Sequence, residues 1–181
     1  MSIRNCSAWS RVLGVVVATA SLSVIAGTAA EAAPYPIPHI KAKSSKKCVS
    51  VLGWSKSKGA HIVQWSCYNG RANNQQFQTI YYKTWKGVKE VQIMNMHSRL
   101  CLSVNGKSTK NGAYVNQWSC NGADNTLWAI YKANSSSYVL QNMWSGKCLD
   151  VAGNSNKNGA WLTQYTCGRY KNEDFTFPVK V

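Results

Sequence analysis

Cys101, Leu102-Ser103-Val104 and Gly106, followed by Gly112-Ala113, Val115 and Gln117-Trp118-Ser119-Cys120, form the stretch on which the reading of the whole chain turns. The same succession stands on either side of it. Before it come Cys48, Val49-Ser50-Val51, Gly53, Gly59-Ala60, Ile62 and Gln64-Trp65-Ser66-Cys67. After it come Cys148, Leu149-Asp150-Val151, Gly153, Gly159-Ala160, Leu162 and Gln164-Tyr165-Thr166-Cys167. An aliphatic residue precedes each first cysteine at one fixed distance (Ile40, Ile93, Leu140), and each unit closes on an aromatic (Phe77, Trp128, Phe175). A fixed period of this kind is the signature of a repeat architecture.

Within each unit apolar and polar residues alternate over about four to six positions between Gly, Asn and Ser breaks, the signal of short antiparallel strands. No stretch after Ala33 sustains a helical period. A unit of roughly fifty residues cannot bury a hydrophobic face by itself, so three copies must share one core. That requirement predicts an all-β, closed threefold architecture with few free strand edges. Phe77, Trp128 and Phe175 are expected in its core.

Six cysteines stand in the repeats with the same spacing in each successive pair: Cys48 and Cys67, Cys101 and Cys120, Cys148 and Cys167. Even number, equal spacing and an export signal together read as a disulfide framework. Of about 15 possible connectivities, the sequential one alone gives every repeat an identical bridge. A zinc site fits poorly because no Cys-x-x-Cys occurs, and neither a metal nor a cofactor is expected.

The first segment has the layout of a secretory signal peptide. Arg4 and Arg11 make a basic start, Val12 to Ala30 carries no charge, and Thr28-Ala29-Ala30-Glu31-Ala32 offers small-residue cleavage points, best after Ala32. An uncleaved membrane anchor is the rival; dilution of the apolar run by Thr19, Ser21, Ser23 and Gly27 favours removal. Cys6 precedes the apolar run and is not placed as a lipid anchor. The expected organisation is therefore a signal peptide over residues 1–32, a short lead over 33–36 and one domain over 37–181. The repeats of that domain span about 37–90, 91–137 and 138–181. The mature product is expected outside the cell as a monomer without a stable membrane span.

The chain has 21 Lys and Arg against 6 Asp and Glu, a formal net charge of +15. Basic residues are spread along the sequence instead of lining one face, which favours anionic polymers at low salt without selecting one. Anionic cell-surface polymers and acidic glycans are candidate partners; no nucleic-acid motif is visible.

These residues resemble the ricin B lectin family, also called the (QxW)3 family, from about Ile37 to the C-terminus. The resemblance is carried by Cys148-Leu149-Asp150-Val151 and by the later Gln-x-Trp motif, which appears as Gln75-Gln76-Phe77, Thr126-Leu127-Trp128 and Glu173-Asp174-Phe175. It implies a β-trefoil of three subdomains, α, β and γ, with one disulfide and up to one sugar pocket in each. It also implies a non-enzymatic carbohydrate-binding lectin.

The family pocket combines a residue shortly after the first cysteine, a polar residue and an aromatic platform before the second, and an Asn with its neighbour from the closing motif. An aromatic ring stacks on the apolar face of a sugar while fixed polar groups meet its hydroxyls, and a carboxylate makes the stronger bonds. Carried over, the γ pocket has Asp150, Thr163, Tyr165, Asn172 and Glu173, the most complete set. The weaker β pocket has Ser103, Asn116, Trp118, Asn125 and Thr126. The weaker α pocket has Ser50, Trp65, Asn74 and Gln75, with Val63 in place of a polar residue. Trp54, Trp85, Trp144 and Trp161 do not repeat and receive no role, Trp161 being a candidate to line the γ pocket.

Catalysis finds little support. Glycoside hydrolysis needs two facing carboxylates, and beyond Asp150 and Glu173 the mature chain offers Glu90, Asp124 and Asp174. His39, His61 and His97 do not repeat and have no metal or triad spacing. Two non-lectin readings remain: a charge-driven binder of anionic surfaces and a trefoil protease inhibitor.

Overall fold

A computed structural model describes residues 36–37, 39–68, 73–168 and 170–177; the expected signal peptide, most of the lead and the extreme C-terminus lie outside them. Among the described residues the structure is built from short strands, all paired antiparallel. The first unit contributes β1 (Pro36–Ile37), β2 (Lys41–Ala42), β3 (Cys48–Val51) and β4 (Ile62–Trp65). β5 (Phe77–Trp85) closes the first unit, and the second contributes β6 (Val88–Asn95), β7 (Cys101–Val104) and β8 (Val115–Trp118). β9 (Leu127–Asn134) closes the second unit, and the third contributes β10 (Ser137–Asn142), β11 (Cys148–Val151) and β12 (Leu162–Tyr165) and closes on β13 (Phe175–Thr176).

Long hairpins β5–β6 and β9–β10 pair with each other through β6 and β9, β13 joins β10 to β2, and β1 pairs with β5. The hairpins β3–β4, β7–β8 and β11–β12 form the threefold cap. Bridges His61–Asn116, Tyr114–Thr163 and Val63–Trp161 join β4, β8 and β12 around its centre. This is the β-trefoil. The expected repeat boundary near residue 90 falls within β6.

The core is filled from equivalent positions of each unit. Ile40, Ile93 and Leu140, Val51, Val104 and Val151, Ile62, Val115 and Leu162, and the closing Phe77, Trp128 and Phe175 are all buried. Trp128 is the one closing aromatic with a polar edge, and its Nε1–H donates to the Leu102 carbonyl at 3.1 Å, as a buried indole requires. Disulfides Cys48–Cys67, Cys101–Cys120 and Cys148–Cys167 each bridge a separation of 19 residues within one unit.

The three units are locked by one repeated device. Gln64 Nε2 donates to the Ser155 and Lys157 carbonyls of the third unit. Gln117 does the same to Ser55 and Ser57 of the first, and Gln164 to Ser108 and Lys110 of the second. Each Gln Oε1 accepts from a serine of its own unit, Ser45, Ser98 or Ser145, at 2.6 Å. The amide thus ties each hairpin to a neighbouring unit's loop through partly buried bonds to carbonyls outside the strand ladders.

Candidate carbohydrate-binding site

Each cap hairpin builds the same local frame. The second residue after the first cysteine stands across the ladder from the polar candidate: Ser50 opposite Val63, Ser103 opposite Asn116, Asp150 opposite Thr163. The aromatic at the hairpin's far end pairs with the cysteine itself, Trp65 with Cys48, Trp118 with Cys101, Tyr165 with Cys148. A tight 3-10 turn follows each first strand. It places Gly106 at φ 58° and Gly153 at φ 61°, a left-handed region open to glycine at little cost. The next residue, Trp54, Lys107 or Asn154, is forced into the same region and stands at the pocket rim.

In the third unit a cavity of about 430 Å³ is lined by Asp150, Gly153, Asn154, Tyr165, Tyr170 and Asn172. Asp150 Oδ1 accepts from Thr163 Oγ1 at 3.0 Å, and Oδ2 accepts from Asn172 Nδ2, which also donates to the Val151 carbonyl at 3.1 Å. Burial pushes the Asp150 carboxyl up to about 6, with the Glu173 charge adding and the Thr163 and Asn172 bonds opposing. Tyr165 leaves 43% of its surface exposed beside this carboxylate. Thr163 does not line the cavity; it supports Asp150 from behind.

The second unit has a cavity of about 370 Å³ lined by Ser103, Asn105, Gly106, Lys107, Asn116, Trp118, Asn121, Ala123 and Asn125. Asn125 Nδ2 donates to Ser103 Oγ at 2.8 Å and to the Val104 carbonyl at 3.1 Å. Asn116 Nδ2 donates to Asn105 Oδ1 at 2.9 Å, while Asn116 Oδ1 is buried with no partner. In the first unit Asn74 Nδ2 likewise donates to Ser50 Oγ at 3.0 Å, but Val63 is buried and offers no polar group. Residues 69–72 of this unit lie outside those described. Trp54 packs against Tyr68 and His97 at its rim.

Besides Thr163, three expected site residues are not in these pockets. Gln75, Thr126 and Glu173 are each 0% exposed. Gln75 accepts from Tyr68 N and donates to the Ser66 carbonyl. Thr126 Oγ1 donates to the Ala123 carbonyl and accepts from Gln92. Glu173 Oε2 accepts from the Gly168 and Tyr170 amides. In a 3-10 turn consecutive side chains leave on different sides, so the Asn turns to the pocket and its neighbour clasps the loop beneath. Glu173 opens instead onto a separate cavity beside Tyr131, Lys132 and Gln141, so Asp150 and Glu173 do not face one another across a common space.

Trp161, a candidate to line the γ pocket, is not among its lining residues. It stacks on His61 with ring centroids 5.1 Å apart, and Tyr114 meets both rings edge-on at the centre of the threefold cap. These three residues are in register, each one before Ile62, Val115 and Leu162, and that register was the signal available for them. Trp144, given no role, donates its Nε1–H to the Lys107 carbonyl at 2.6 Å and braces the β rim.

Residues 73–165 match the family described as ricin-type beta-trefoil lectin domain-like, and the chain belongs to that family. Membership places it among carbohydrate-binding lectins. It is 32% identical to ThreeFoil, a designed threefold-symmetric protein, over 77% of this chain and 95% of that one, with a TM-score of 0.70. The exo-beta-1,3-galactanase 1,3Gal43A from Clostridium thermocellum superposes with a TM-score of 0.71 at 24% identity, covering 77% of this chain but 29% of the enzyme. A Macrolepiota procera ricin B-like lectin, solved in complex with lactose, gives 0.61 at 17% identity over 77% of this chain and 91% of that one. The last two show the fold alone. No curated protein matches the chain.

Proposed function

We propose that this chain is an exported lectin that binds glycans non-catalytically through the shallow pockets of its trefoil cap, with the γ pocket the principal site for neutral sugars. The observation that carries the reading is the buried Asp150 carboxylate, bonded by Thr163 and Asn172 and open to a cavity beside the exposed Tyr165. A fixed acceptor next to an aromatic face is what a pyranose needs: C–H groups on the ring, hydroxyls on the carboxylate. Asp150, Tyr165 and Asn172 touch sugar in this account, and Thr163 and Glu173 hold them in place. The β pocket repeats the arrangement with Trp118, Asn116 and Asn125 around Ser103. The α pocket, with Trp65 and Asn74 around Ser50, lacks a polar group at Val63 and is the weakest.

Export with removal of residues 1–32 fits the disulfide framework, since such bridges persist in oxidising compartments. One folded unit over 37–181, acting as a monomer, completes the proposal. A glycan array probed at low and at physiological salt tests it. Pocket binding survives salt and is competed by free sugar, with lactose the first competitor by analogy with the Macrolepiota procera lectin. Binding driven by the +15 charge collapses with screening instead.

A further inference from the structure

The β and γ cavities share a frame and differ in charge. Where γ has Asp150, β has Ser103; where γ has Asn154 at the rim, β has Lys107. No carboxylate lines the β cavity. Lys107 is held there by its own surroundings. Its backbone sits at φ 51°, its carbonyl is bonded by Trp144, and its ammonium rests over the Trp144 ring, 5.4 Å from the centroid.

A second cation reaches the same site from the first unit. Asn158 and Asn111 bond the Ser66 and Thr166 amides beside the α and γ platforms. At the equivalent place beside the β platform stands Lys58, whose ammonium lies over the Trp118 ring, 5.7 Å from its centroid. Among the described residues the ion pairs are Lys43–Asp174 and Lys83–Glu90, so neither Lys58 nor Lys107 is neutralised by a carboxylate. The buried Asn116 Oδ1 is a free acceptor in the same cavity. An aromatic platform, an unused acceptor and two unneutralised ammonium groups call for a ligand with a ring face, a hydroxyl and a negative charge.

We propose that the β cavity selects a pyranose carrying a carboxylate, a sugar of the hexuronic acid class. Its ring lies on Trp118, a hydroxyl donates to Asn116 Oδ1, and its carboxylate is met by Lys107. The proposal rests on the lectin reading above and divides the labour of the cap: neutral sugar at Asp150, acidic sugar at Ser103.

Calorimetry at physiological salt with a galacturonic acid trimer and its carboxyl-reduced, neutral counterpart tests it. The wild-type protein should favour the acidic trimer about five- to tenfold, between the worth of an exposed ion pair and that of a charged hydrogen bond. Lys107→Gln should bring the ratio to within about twofold. Lys89→Gln, an equal charge change at a residue that lines neither the β nor the γ cavity, should leave it intact. Ser103→Asp should invert the preference, which keeps the test open if Lys107→Gln folds badly. A ratio that survives Lys107→Gln, or falls equally in Lys89→Gln, overturns the proposal. So does the absence of any acidic preference in a wild-type protein that still binds neutral glycans. Failure of the folded protein to bind any glycan overturns the lectin reading itself, and this proposal with it.

Discussion

Asn125 donates its side-chain amide to Ser103 Oγ at 2.8 Å, and Asn172 makes the same bond to the Asp150 carboxylate in the third unit. The geometry is conserved between units while the acceptor changes from hydroxyl to carboxylate. One frame therefore serves two chemistries.

The γ pocket should be pH-sensitive. Asp150 titrates near 6 because burial disfavours its charge. Sugar hydroxyls donate best to the ionised form, so affinity at this site should fall as pH drops from about 7.5 to about 5. Stability moves the other way. A carboxyl whose folded value exceeds its unfolded one binds protons more readily when folded, so its contribution grows as pH falls from about 6 towards 4. Titration of wild type and Asp150→Asn at the two pH values checks this; a dependence that persists in Asp150→Asn would assign it elsewhere.

Gln117→Ala should destabilise the trefoil without touching a pocket. It removes three partly buried bonds, to the Ser55 and Ser57 carbonyls and to Ser98. A loss of about 2–3 kcal/mol is expected, read as a lower urea midpoint with unchanged slope. Because Gln64 and Gln164 are equivalent, their alanine variants should cost similar amounts.

Each disulfide closes a loop of the same length, worth on the order of 3 kcal/mol in the chain-entropy model. The double variant Cys148→Ala, Cys167→Ala should lose about that much, and non-reducing peptide mapping of the wild type should recover only bridges within units. Any bridge between units would contradict the threefold frame.

N-terminal sequencing of secreted material should begin within a few residues of Ala33. The intact chain recovered only from membranes would favour an uncleaved anchor.

The repeat made most of the fold legible. Ile40, Ile93 and Leu140 stand at one distance from their cysteines because the same strand must bury one side chain per unit in a shared core. The meeting of Asn74, Asn125 and Asn172 with residues 50, 103 and 150 was legible for the same reason, given the family register. What the sequence hid was direction. Glu173 follows Asn172 by one position, and the tight turn sends it into the loop interior instead of the pocket. The Gln64, Gln117 and Gln164 clamps repeat as faithfully as the platforms, and repetition alone does not separate a strut from a site. Lys58 and Lys107 were hidden for the opposite reason. They are departures from the repeat, and their meaning depends on the rings of Trp118 and Trp144, which only the folded cap brings beside them.

The central claim is that a buried carboxylate in the third unit holds a sugar. Calorimetric titration of the best neutral glycan from the array, in physiological salt, against wild type, Asp150→Ala, Ser50→Ala and Ser103→Ala tests it most directly, with folding checked by circular dichroism. Losing a charged hydrogen-bond acceptor costs about 1.5–3 kcal/mol, roughly ten- to a hundredfold in affinity. Asp150→Ala should show that loss and the two serine variants much less. Affinity unchanged in a folded Asp150→Ala, or raised as charge-driven binding to an anionic polymer requires, would contradict the account.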